Sequence, residues 1–158
     1  MEEPTQQLDD GQRQAVRHFA GRVRDGDTMA EIFGVDDDQL TALEAQAYRL
    51  YCNGQFDKAK IAGRGILALD EERSLTHLIL GDIALEEYRF STAVEHLELA
   101  LELDDEQLGV RTRLGEALLK AGCPDQARRH LQAVIDADAH AGSADVRRCR
   151  VLLEAIDQ

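Results

Sequence analysis

A chain of 158 residues with a formal net charge of −13 can close one compact core, but it carries the wrong charge for a phosphate-binding surface, which needs clustered Lys and Arg. No apolar run reaches the roughly 18 residues of a bilayer-spanning helix, and the opening residues lack the basic and apolar regions of a signal peptide. A cytosolic protein that neither binds nucleic acid nor inserts stably into a membrane is therefore expected, and Cys52, Cys123 and Cys149, odd in number and scattered, read as reduced thiols.

Residues 1–9 are polar, contain Pro4 and read as a disordered lead-in. From Asp10 the pattern turns helical. Val16, Phe19, Ala20 and Val23 fall on one apolar stripe, flanked by Arg13, Arg17 and Arg24. This stripe has no partner in its own segment and must dock on the rest of the chain, on a second subunit or on a client. Gly26 and Asp27 break the helix, and Thr28 is placed to cap a short turn through Met29, Ala30, Ile32 and Phe33. Asp36, Asp37 and Asp38 suit the positive N-terminus of the next helix. Residues 10–39 are thus an N-terminal helical extension.

Residues 40–141 repeat one pattern in three copies, 40–73, 74–107 and 108–141. Ala59, Ala93 and Ala127 are 34 residues apart, and Asp70, Asp104 and Asp138 keep the same step. Leu80 and Leu114, Gly81 and Gly115, His96 and His130, and Leu97 and Leu131 agree in register as well. That period is the length of a tetratricopeptide unit, a pair of helices with their turns. Gly81 and Gly115, with the recurring Ala, let paired helices approach closely. Gly54 and Gly122 are placed to end first helices in left-handed turns, and Pro124 sits where a helix tolerates a missing N–H. Repeat one departs, with Ala47 for the Gly and Gly63 for the Leu; repeat two has Tyr88 where the other repeats have Gly54 and Gly122. Residues 142–158 follow as a capping helix, with Ser143 at its start and Val146, Cys149, Leu152, Leu153 and Ile156 to cover the open end of the stack. The expected fold is an all-α solenoid of three tetratricopeptide hairpins with an extension before and a cap after.

No phosphate loop, dinucleotide turn, His-Glu-x-x-His or nucleophile elbow is present, so no catalytic, cofactor or metal residue is assigned. His96 and His130 recur because the repeat recurs and are read as packing or solvated residues. Such a stack binds peptide. The first helix of each repeat lines its concave face, with the second, fifth, ninth, twelfth and thirteenth residues pointing into the groove. These are Thr41, Glu44, Tyr48, Tyr51 and Cys52, then Leu75, Leu78, Asp82, Leu85 and Glu86, then Gly109, Thr112, Glu116, Leu119 and Lys120. The sequence therefore predicts an apolar floor of Tyr48, Tyr51, Leu75, Leu78, Leu85 and Leu119. Glu44, Asp82, Glu86 and Glu116 form its negative rim. The competing possibility is that Tyr51, Leu85 and Leu119 complete the core.

The run Asp27-Thr28-Met29-Ala30-Glu31-Ile32, then Leu40, Leu43 and Ala47, leads into Tyr-Cys-Asn-Gly-Gln-Phe-Asp-Lys-Ala from Tyr51 to Ala59. Over roughly residues 10–157 this resembles the class II chaperones of bacterial type III secretion systems, which hold hydrophobic translocator subunits before export. The resemblance implies a non-enzymatic cytoplasmic chaperone with an extended translocator segment in its groove. Tyr48 and Tyr51 match aromatic positions of that family, and Leu78 and Leu85 match apolar ones; Glu44 departs, since an aromatic is common there. It also implies a homodimer, with Val16, Phe19, Ala20 and Val23 as the contact. Two other readings exist. A carboxylate-clamping co-chaperone needs Lys, Arg and Asn where Glu44, Tyr48, Leu78, Asp82, Thr112 and Glu116 stand. A tetratricopeptide adaptor unrelated to secretion needs no particular N-terminal segment.

Overall fold

In the computed structural model, residues 9–137 and 142–157 are described, and they form helices and turns. The helices are α1 (Asp10–Arg24), α2 (Met29–Phe33), α3 (Asp37–Cys52), α4 (Phe56–Leu69), α5 (Ser74–Glu86), α6 (Phe90–Leu103), α7 (Leu108–Lys120), α8 (Pro124–Ala137) and α9 (Ala144–Ile156). Most of the polar lead-in, Asp138 and the end of the third repeat lie outside the described residues.

Reciprocal side-chain caps start the first three helices. Asp9 with Gln12, Thr28 with Glu31, and Asp36 with Gln39 each satisfy two backbone N–H groups that the first helical turn leaves free. The Asp36 cap starts α3 at Asp37, so a boundary drawn at residue 40 falls inside a helix. Beyond it the register is strict. The second helices α4, α6 and α8 open at positions 56, 90 and 124 and have 14 residues each.

The first helices also end alike. Gly54 (φ 70°) donates its N–H to the Tyr51 carbonyl and Gln55 to that of Leu50, both at 2.9 Å. Gly122 (φ 82°) and Cys123 repeat this with Leu119 at 3.1 Å and Leu118 at 2.9 Å. Tyr88 takes the same left-handed turn (φ 60°), donating to Leu85 at 3.1 Å while Arg89 donates to Ala84 at 2.8 Å. The repeat imposes a glycine conformation on a tyrosine.

Helices pair as α3 with α4, α5 with α6 and α7 with α8, and each hairpin packs on the next. Ala59, Ala93 and Ala127 are wholly buried. A Cβ added to Gly81 would stand 2.7 Å from Leu97 Cγ, and one on Gly115 2.6 Å from Leu131 Cδ2. Glycine and leucine therefore interlock in repeats two and three. In repeat one both members change, and Leu80 of α5 takes up the room: its Cδ2 would be 3.1 Å from a Cβ on Gly63. The departure read from the sequence is compensated by the neighbouring repeat.

Glu44 ties repeats one and two. Only 5% exposed, it accepts hydrogen bonds from Arg73 Nη2 at 2.6 Å and Thr76 Oγ1 at 2.7 Å. At the other end Val146 and Cys149 of α9 are buried with Leu131 and Val134, which closes the stack. By contrast α1 buries no residue and approaches only α2 among the described helices, leaving Val16, Phe19 and Val23 exposed.

Candidate functional site

The first helices and α9 border an open cavity of about 490 Å³. Tyr48 and Tyr51 enter it from α3, Leu78 and Asp82 from α5. Arg113 of α7 and Arg148 of α9 face them. The tyrosine rings lie 6.2 Å apart between centroids, and Tyr51 continues to Phe56 at 6.0 Å. Tyr51 and Phe56 pack against the core below, while Tyr48 stays 48% exposed.

Polar groups inside the groove are neutralised locally. Tyr51 donates its hydroxyl to Asp82 Oδ2 at 3.2 Å; burial, with the Asp82 charge, pushes that phenol up to about 12. Burial also raises the Asp82 carboxyl, against Arg113, whose Nε is 3.4 Å from Oδ1. Asp82 Oδ1 itself is buried without a hydrogen-bond partner among the described residues. Glu116 pairs with Arg148, with Lys120 at 3.1 Å and with Arg113 at 3.8 Å. Burial pushes the Glu116 carboxyl up, but the hydrogen bonds from Arg148 and Lys120 outweigh it and hold the group below the usual range.

The structure brings Tyr48, Tyr51, Leu78 and Asp82 together and distributes the other groove positions differently. Leu85 is buried in the core, and Leu119 packs partly buried against that same cluster. Leu75 is exposed but does not border the cavity. The expected negative rim does not form. Glu44, Asp82 and Glu116 are buried and ion-paired, and Glu86 alone of the four is exposed. The reason is geometric: the fifth-position Glu44 and the ninth-position Asp82 and Glu116 are held by arginines that the groove positions did not include.

Sequence reasoning missed Arg113, Asp145 and Arg148. Arg113 falls one position from the groove residue Thr112. Asp145 and Arg148 belong to α9, which starts 36 residues after α7 rather than 34, so it sits out of the period that revealed the groove.

This is the groove of a three-hairpin tetratricopeptide stack. The tetratricopeptide-repeat family matches residues 84–149. No curated protein matches the sequence. Among solved structures, the chain resembles a type III secretion system complex from Aeromonas hydrophila (TM-score 0.77, 20% identity, covering 89% of this chain and 95% of that one). It also resembles the Yersinia enterocolitica secretion chaperone SycD in complex with a peptide of the translocator YopD (TM-score 0.69, 22% identity, 78% and 95%). The second tetratricopeptide domain of human RPAP3, in complex with an HSP70 peptide, is similar too (TM-score 0.67, 17% identity, 76% and 96%). At these identities the shared property is the fold.

Proposed function

We propose that this protein is a cytoplasmic, non-catalytic chaperone for a hydrophobic translocator of a type III secretion system, and that it holds an extended apolar segment of that client in the groove. The observation that carries the reading is the convergence of Tyr48, Tyr51 and Leu78 from adjacent repeats on one open cavity. Tyrosine offers a large contact area with few rotors to freeze, and its hydroxyl reaches backbone groups of an extended chain. The likeness to SycD, whose structure holds a translocator peptide, supports the same client class. The exposed α1 stripe supports a homodimer built through Val16, Phe19, Ala20 and Val23.

A second reading has one observation in its favour. Arg113, Lys120 and Arg148 stand at the groove, as an acidic peptide tail would require. Each is already paired with Asp82 or Glu116, which leaves the apolar surface as the unsatisfied part and favours the first reading.

Calorimetric titration with short overlapping peptides tiled across a hydrophobic translocator of a type III secretion system tests the proposal. Tyr51→Ala should weaken the tightest peptide by about 2 kcal/mol, or roughly 30-fold. Circular dichroism should find the helices intact. Full affinity with an intact fold would move the client off this groove, and tighter binding of an acidic C-terminal peptide would favour the second reading.

A further inference from the structure

Tyr88 is out of place in two independent ways. Its backbone sits at φ 60° in the turn that repeats one and three make with Gly54 and Gly122, using the same pair of hydrogen bonds. A side chain there crowds the following carbonyl, a cost that glycine avoids. Burial does not offset that cost, because Tyr88 is 80% exposed, the highest exposure among the large apolar residues described. The fold needs only the turn, and glycine supplies it at the equivalent place in the other two repeats. Backbone strain of this kind persists mainly where the residue has another task.

The ring stands at the groove. Together with Lys120, Glu86 and Glu116 it borders a small cavity of about 90 Å³. Tyr51, Asp82, Arg113 and Arg148 border both that cavity and the main one, so the two adjoin. Phe90 steadies the ring edge-on, with centroids 6.1 Å apart and planes at 76°, and the Lys120 ammonium lies 5.9 Å from the Phe90 centroid. Tyr88 is thus held rather than loose, with its ring turned to solvent where the groove leaves the α5–α6 turn.

We infer that Tyr88 is a further client anchor: an extended segment lying on Tyr48 and Tyr51 continues past the α5–α6 turn and sets an apolar side chain against the Tyr88 ring. The inference rests on the groove reading above. The occupant is apolar because the charges bordering the small cavity are largely paired among themselves, Glu116 with Lys120 and Arg148, Asp82 with Arg113. An added charge would find few free partners, whereas the exposed ring has a whole face to offer.

The test uses Tyr88→Gly and Tyr88→Asn, residues that accept the left-handed turn, in the full chain. Thermal unfolding and titration with the tiled translocator peptides are read side by side. The melting temperature should stay or rise, by roughly 2–4 °C for glycine as the turn relaxes. Peptide affinity should fall about tenfold in both variants. Unchanged affinity would overturn the inference. So would an affinity loss accompanied by a lower melting temperature in both variants, since the ring would then act through the fold. Tyr51→Ala separates the two levels. If it weakens binding and the Tyr88 variants do not, the extra anchor fails and the groove stands; if none of the three weakens binding, the groove itself fails.

Discussion

Gly115 and Leu131 meet at the tightest point of the third hairpin, and the contact decides what substitution there costs. Alanine normally improves a helix over glycine by roughly 0.5–1 kcal/mol. At Gly115 its Cβ would stand 2.6 Å from Leu131, which is wholly buried and has nowhere to move. Gly115→Ala should therefore destabilise the protein by about 1–3 kcal/mol in chemical denaturation. Gly65→Ala, with nothing within 4 Å of the new Cβ, should instead stabilise it by roughly 0.5–1 kcal/mol. Equal effects of the two would mean that the Gly–Leu contact carries no weight. That contact was legible in the sequence, because Gly81 with Leu97 and Gly115 with Leu131 recur at one spacing. Its replacement in repeat one was not, because Leu80 comes from the next repeat and a comparison of equivalent positions misses it.

At the scale of the element, α1 and α9 stand in contrast. Both lie outside the period, and both were expected to be amphipathic from their spacing. α9 finds its partner within the chain and buries Val146 and Cys149. Among the described helices α1 finds only α2, so its Val16, Phe19 and Val23 stripe remains uncovered by the described residues. If that stripe is the dimer contact, Phe19→Glu places a charge in a desolvated interface and should dissociate it. Sedimentation at matched concentration should give a lower mass for the variant than for the wild type; the same mass for both would remove α1 from the dimer. The sequence defines the stripe but not its cover, since an amphipathic pattern states that a face is buried and not by what. The sequence marks α9 as a cap but gives no sign that it walls the groove, because its start at Ala144 falls outside the step that aligns the other helices.

Across the whole molecule, charge is organised by local pairing more than by the net value of −13. A sequence count cannot anticipate that Arg73, Arg113 and Arg148 reach the carboxylates that seemed free to form a rim. Two histidines contribute to the response to acid. His77 Nδ1 lies 3.1 Å from His96 Nδ1, while His77 Nε2 lies 3.1 Å from the Glu71 carbonyl oxygen. Burial, with the His77 neighbour, holds His96 below 6.5; burial, with Arg111 and Arg129, does the same for His130. The unfolded chain then binds more protons in that window, so stability rises with pH through it. The contribution is complete above about pH 6.5 and is lost as pH falls through the folded values. Asp82, raised by burial, opposes this trend. The melting temperature should be lower near pH 5 than near pH 7.5, and the His96→Gln, His130→Gln double variant should flatten that difference. A slope unchanged by the double variant would assign the acid response to other groups.

The groove is open on its solvent side, with Tyr48 48% and Tyr88 80% exposed. A segment seated in an open trough can be laid in and lifted out sideways, without threading and without a hinge. Drawn from one end, it parts from its resting points in succession. The force at any instant then works against a single contact, whereas spontaneous escape requires all of them to let go together. If the groove seats its client as proposed, it would empty slowly when left alone and give way readily under tension.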